Sequence, residues 1–229
     1  GGSGLSAIGG SIRVGELLPS APPIKHALKV EFGNWWYYGE KQLQPATKDN
    51  GGRTQYVWPA TGSNAMFING KATAYYTGKN RYLAPGALLA IPATRADSVE
   101  VTTPIGRKIR QAMIDYGAYI VDGSGHGKNN DPLRQNSVAI GFDAEVNSEM
   151  RKLYGWSMAY PHGVQNPKLA KGQSSEQNKL YNDLLRIFRA LEIVINNGPK
   201  SVGGGGTPRI PRKPPICGAP KDDARLEDS

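Results

Sequence analysis

The segment Asp122-Gly123-Ser124-Gly125-His126 places a carboxylate, a hydroxyl and an imidazole on one glycine-rich loop, directly after an apolar stretch. Loops held at the end of a rigid strand are where reactive side chains tend to gather. The same Asp-Gly-Ser-Gly string is also an ordinary turn. It is not a nucleophile elbow, which needs Gly-x-Ser-x-Gly between strand and helix, because Asp122 stands two residues before Ser124. Elimination on a uronic acid polymer would require a His or Tyr to take the α-proton and an Arg or Lys to neutralise the carboxylate. His126, Asp122, Tyr119, Lys29 and Arg13 are therefore the candidate catalytic residues. His26 sits among apolar neighbours, so it is either a structural histidine satisfied by hydrogen bonds or a general base facing a cleft. Asp143 and Glu145 could act as a carboxylate pair, or simply supply negative charge at the start of a helix.

Binding candidates are aromatic. Trp35, Trp36, Trp58 and Tyr75 are the candidate substrate-binding residues, in a region that also carries Tyr37, Tyr38 and Tyr76. Flat rings can stack on sugars, and they serve equally well in a core or a subunit interface. Several other chemistries lack their residues. A single Cys gives neither an internal disulfide nor a Cys-based zinc site, and three His would all be needed for a histidine metal centre. Gly203–Gly206 lacks the Lys-Ser or Lys-Thr of a phosphate loop, and calcium-loop spacing is absent. No metal and no cofactor is expected.

Composition narrows the partners. The 229 residues include 28 Lys or Arg against 19 Asp or Glu, a net charge of +9, so anionic polymers are natural partners. The basic residues are scattered, with no basic helix face, and a nucleic-acid partner is not expected. For a secreted protein an acidic polysaccharide would fit better, and a complementary acidic segment of a longer chain is the other reading. No apolar run approaches the roughly 20 residues needed to cross a bilayer.

The elements that must position these groups can be read from periodicity and end signals. Ile24, His26, Leu28, Val30 and Phe32 alternate with Lys25, Lys29 and Glu31, which predicts a half-buried strand over 24–32. Short strands are also predicted over Ser11–Leu18, Thr54–Trp58, Gly86–Ile91, Ala118–Asp122 and Ser137–Phe142, with residues 60–82 irregular apart from short strands. Thr103 as cap, Pro104 at the first turn and Gly117 as stop bracket a helix with Ile105, Ile109, Ala112, Met113 and Tyr116 on one stripe. A second helix is predicted over Ala144–Tyr154. A third, the longest, begins after Ser174, with Gln177 completing a capping box, and runs from Ser175 to Asn196. The pattern is α+β: a sheet or sandwich core with two to three packed helices. Residues 1–10 form a Gly-rich lead-in, 11–202 a single domain, and 203–229 an extended Gly/Pro-rich arm with Ile210 and Ile216 as anchors. The lone Cys217 suggests pairing outside this segment.

Several strings recur in order: Gly4-Leu5-Ser6, Gly9-Gly10, Ile12-Arg13, Gly15-Glu16-Leu17, Ile24-Lys25-His26-Ala27-Leu28, Tyr56-Val57-Trp58-Pro59-Ala60, Gly86-Ala87-Leu88-Leu89-Ala90-Ile91-Pro92 and Tyr116-Gly117-Ala118-Tyr119-Ile120-Val121-Asp122. Their order resembles a group of uncharacterised secreted bacterial proteins, in which these motifs form the C-terminal part of a longer precursor. The resemblance spans about residues 4–125 and, weakly, Asn196 to Pro208. It implies secretion and a preceding N-terminal part, as a partner within the precursor or as another chain; it implies no reaction. The expectation is an extracellular protein that binds or degrades an acidic polysaccharide, by lyase-type or hydrolytic chemistry. The alternative is a non-enzymatic subunit of an extracellular filament, coat or matrix.

Overall fold

The computed structural model describes residues 2–6, 9–123, 138–156 and 175–200. The fold is α+β, with a five-stranded mixed sheet, a two-stranded sheet and packed helices. In chain order the strands are β1 (Leu28–Phe32), β2 (Phe67–Ile68), β3 (Lys71–Ala72), β4 (Leu88–Ala90), β5 (Ala118–Gly123), β6 (Val138–Ile140) and β7 (Glu192–Ile193). The helices are α1 (Ala93–Ala96), α2 (Pro104–Asp115), α3 (Ala144–Tyr154) and α4 (Ser175–Ala190). The main sheet runs β6-β1-β5-β4-β7, with β1 and β5 parallel and the other pairs antiparallel. β2 and β3 form the small hairpin.

Alternation along β1 and β5 decides which face is core. Leu28, Val30, Ala118 and Ile120 are buried on one face, and they belong to the same apolar cluster as Ile105, Ile109 and Met113 of α2. Each of the Leu, Val, Ile and Met side chains contributes about 1.5–3 kcal/mol on burial, and Ala118 less. α2 forms as its ends predict: the Thr103 hydroxyl accepts the Gly106 N–H at 2.9 Å, and Gly117 follows the helix at φ +70°. α3 also matches its predicted bounds and buries Val146 and Met150. Asp143 occupies the position before it without a side-chain cap bond, and Glu145 stands in its first turn.

Four predicted boundaries are corrected. The strand predicted from Ile24 starts at Leu28, because the chain bends at His26, whose ring turns toward Glu16. Ser11–Leu18 is not a strand beyond the single bridge Ile12–Phe142. Gly15 lies at φ +88°, and the Glu16 carboxylate accepts the Arg13 N–H at 2.8 Å, so the segment closes on itself as turns. Thr54–Trp58 is extended but unladdered. Its backbone bonds singly to separate loops, Thr54 N–H to the Ala65 carbonyl at 3.1 Å and Val57 N–H to the Pro85 carbonyl at 2.9 Å, while the buried Gln55 amide donates to the Tyr38 and Lys41 carbonyls at 3.0 and 3.1 Å. The helix predicted to Asn196 ends at Ala190. The β-branched run after it joins the open edge of β4, pairing Ile193 with Leu89, and Val194 N–H donates to the Leu88 carbonyl at 2.9 Å.

α4 reaches back to α2 through Asp183, which is fully buried. Its Oδ1 accepts the Thr102 N–H and hydroxyl at 2.9 and 3.2 Å, and its Oδ2 accepts those of Thr103 at 2.7 and 2.7 Å. A carboxylate from one helix thus satisfies the amino end of another, where negative charge is favoured. The arm from Gly203, Cys217, Ser174 and the loop residues Ser124 and His126 lie outside the described residues.

Candidate functional site

The face of β1 and β5 turned away from that apolar cluster is polar. Lys29 and Glu31 project from β1 opposite to Val30, and Tyr119 of β5 is the direct neighbour of Lys29. Strict alternation would put Asp122 on the buried face with Ile120. The register instead shifts after the Val30–Ile120 pair, so that Val121 is an extra residue and Asp122 pairs with Glu31. A bulge of this kind re-aims the side chains that follow it. The register thus pairs Lys29 with Tyr119 and Glu31 with Asp122, and all four are half-buried.

The strand ends are fixed from the loop layer that lies between β1 and β4. The Tyr37 hydroxyl accepts the Phe32 N–H at 3.0 Å and donates to the Asp122 carbonyl at 2.5 Å, bridging β1 to β5 where the ladder ends. The Asp122 carboxylate is oriented by three donors: Asn64 Nδ2 at 2.8 Å, its neighbour Gly123 N–H at 2.8 Å and Gly2 N–H at 3.2 Å. Among the described residues no hydrogen bond reaches the Glu31 carboxyl. Burial, and then the negative charge of Asp122, pushes Glu31 above the usual carboxylate range, while Lys29 pulls the other way. Two neighbouring carboxyl groups, one inclined to hold its proton, can act as acid and base. Burial raises the Tyr119 phenol despite its hydrogen bond to Asn197, which makes it a hydrogen-bond donor and a poor base near neutrality.

Three of the five candidate catalytic residues, Lys29, Tyr119 and Asp122, are therefore brought together, and Glu31 joins them. Glu31 carried no signal beyond its outward position in the alternation; only the β1–β5 pairing and its bulge place it beside Asp122. Arg13 is elsewhere. It is exposed and lines an open groove with Ser6, Asp143 and Glu145 that contains none of the four. His26 has both ring nitrogens engaged, Nδ1 with the Ala27 carbonyl at 2.9 Å and Nε2 with the Glu16 carboxylate at 3.1 Å, which is the structural reading. His126 lies outside the described residues. Among them, no group of three or more His, Cys, Asp or Glu is arranged to hold a metal.

The aromatic candidates divide. Trp36, Trp58 and Tyr75 are exposed, whereas Trp35 is half-buried with its ring against Gly33. Tyr37 and Tyr76 are core, packed edge to face at 5.0 Å. Between Asn34 and Leu83 the chain also exposes Lys41, Lys48, Arg53, Lys71, Lys79 and Arg81, against Glu40 and Asp49. No helix among the described residues is long and apolar enough to cross a membrane. In comparison with known proteins, no family model matches the chain, and no curated protein or solved structure matches it either.

Proposed function

We propose that this protein is an extracellular hydrolase of an acidic polysaccharide, with Glu31 as proton donor and Asp122 as its carboxylate partner. The observation that carries the reading is the side-by-side pairing of Glu31 and Asp122, both half-buried, with Glu31 biased toward its protonated form. Glu31 gives its proton to the glycosidic oxygen as the bond to the sugar carbon breaks. Asp122 meets the positive charge that develops at that carbon. Water supplies the hydroxyl of the new reducing end, and its remaining proton restores the carboxyl pair. The net charge of +9 suits a substrate that carries its own carboxylates. Elimination is less well supported, since the Tyr119 phenol is shifted away from the range of a neutral-pH base.

The test is product analysis on polygalacturonate, alginate and hyaluronan with wild-type protein, Glu31→Gln and Asp122→Asn. Hydrolysis releases reducing ends without the ultraviolet absorbance of an unsaturated uronate, and each variant should lower the rate at least 100-fold. Unsaturated products, or a Glu31→Gln variant as fast as wild type, would refute the assignment.

A further inference from the structure

Every large aromatic side chain that is exposed among the described residues lies in the loop layer between β1 and β4: Trp36 (46%), Trp58 (43%), Tyr75 (75%) and Tyr82 (46%). Outside that layer the exposed large apolar side chains are aliphatic, namely Val14, Leu153 and Ile195. Backbone hydrogen bonds set three of the four aromatic-bearing segments side by side. Gly78 N–H donates to the Tyr37 carbonyl at 2.8 Å, Gly39 N–H to Gly78 at 3.0 Å, and Tyr38 N–H to Leu83 at 2.9 Å. The fourth segment, that of Trp58, is tied in next to Leu83, through Val57 N–H to the Pro85 carbonyl at 2.9 Å.

The outward placement of Tyr75 is imposed against local preference. Ala74 and Tyr75 both adopt left-handed backbone, at φ 56° and 59°, which non-glycine residues rarely do. This pair of residues turns Tyr75 to solvent while its neighbour Tyr76 is 2% exposed. Arg81 stands over the Tyr82 ring at 5.6 Å, which puts a cation beside an exposed ring on this surface.

We propose that this surface is a separate binding platform for a strand of anionic polysaccharide, with Trp36, Trp58 and Tyr82 stacking on sugar rings and Lys79 and Arg81 meeting their carboxylates. The proposal rests on the reading of the Glu31–Asp122 face as glycan-directed, and it adds the place where the polymer is held. A glycan is favoured over a nucleic acid by continuity. Asn64, exposed in the same layer, donates to the Asp122 carboxylate at 2.8 Å, so a polymer lying on the layer leads to the carboxyl pair. Rings that stand apart on the surface, and not in the core, are what stacking on a flat, hydrated polymer requires.

The experiment measures binding and turnover separately. Affinity for polygalacturonate, double-stranded DNA and a neutral β-glucan is measured for wild type, Trp36→Ala/Tyr82→Ala, Lys79→Gln/Arg81→Gln and Glu31→Gln. Circular dichroism and melting curves confirm that each variant is folded; these exposed positions should leave both unchanged. The expected result is a loss of at least 10-fold in polygalacturonate affinity for both double variants, and wild-type affinity for Glu31→Gln. Binding without turnover in the wild type would overturn the hydrolase reading and leave the platform standing. Wild-type affinity in a folded aromatic variant would overturn the platform. So would equal binding of DNA and polygalacturonate, lost equally in the lysine–arginine variant and untouched by the aromatic one, because that is charge attraction alone.

Discussion

Replacing Asp183 by Ala should be among the most damaging single changes in the chain. The carboxylate is fully buried and accepts four hydrogen bonds from Thr102 and Thr103, at 2.7–3.2 Å. Its removal strands the Thr103 N–H, which is buried with its residue, at about 1–3 kcal/mol. The Thr102 N–H is part-buried, so its loss is at the low end of that range. The negative charge at the amino end of α2 contributes about 1 kcal/mol more. The sum is about 3–5 kcal/mol, which for a chain of this size lowers the melting temperature by about 6–20 °C. Asp183→Asn keeps the shape but turns an NH2 group toward one of the two donor pairs, so it should fall between. Thermal and urea unfolding followed by circular dichroism measure both. An Asp183→Ala variant within about 2 °C of wild type would refute the argument that this carboxylate ties α4 to α2.

Other expectations follow from single contacts. Gly106→Ala brings a Cβ to 2.5 Å from Asp183 Oδ2, so it should destabilise the protein even though alanine favours helix, and a melting curve reads the sign. Tyr37→Phe removes the hydroxyl that links the Phe32 N–H to the Asp122 carbonyl. It should cost about 1–3 kcal/mol and reduce turnover, in melting and reducing-end assays respectively. Glu31 is raised in the folded state, so its stabilising effect is full at low pH and is lost as pH rises through its folded value. Glu31→Gln should therefore be at least as stable as wild type near neutral pH, and lose that advantage in acid; a variant less stable at pH 7 than at pH 4, relative to wild type, would contradict the burial argument.

Local signals carried the elements that depend on neighbours in sequence. Thr103, Pro104 and Gly117 bracket α2 because cap, first turn and stop are all local, and the alternation of Leu28, Val30 and Phe32 needed only a sheet to lie on. What failed depended on distant partners. Nothing in the helical pattern of α4 announces that Ile193 will instead complete the edge of β4, about 100 residues earlier in the chain. Gln55 resembles any polar residue of a strand until its amide is seen to bond Tyr38 and Lys41. The candidate site was half legible. Lys29, Tyr119 and Asp122 were chosen as candidates by residue type and strand position, but the register shift at Val121 that pairs Asp122 with Glu31 is a property of the pairing and leaves no mark in either strand alone. Asp183 was invisible for the same reason, its partners lying 80 and 81 residues away.

The most direct test of the Glu31–Asp122 assignment is the pH dependence of kcat on a uronate polymer, compared between wild type and Lys29→Met. Turnover requires Glu31 protonated, so the rate should fall on the alkaline side at a pH above the ordinary carboxylate range. Lys29 lowers the Glu31 value, so removing its charge should move that alkaline limb to higher pH. An alkaline limb that stays in place or moves to lower pH in Lys29→Met, or a wild-type protein that turns over none of the uronate polymers at any pH, would contradict the account.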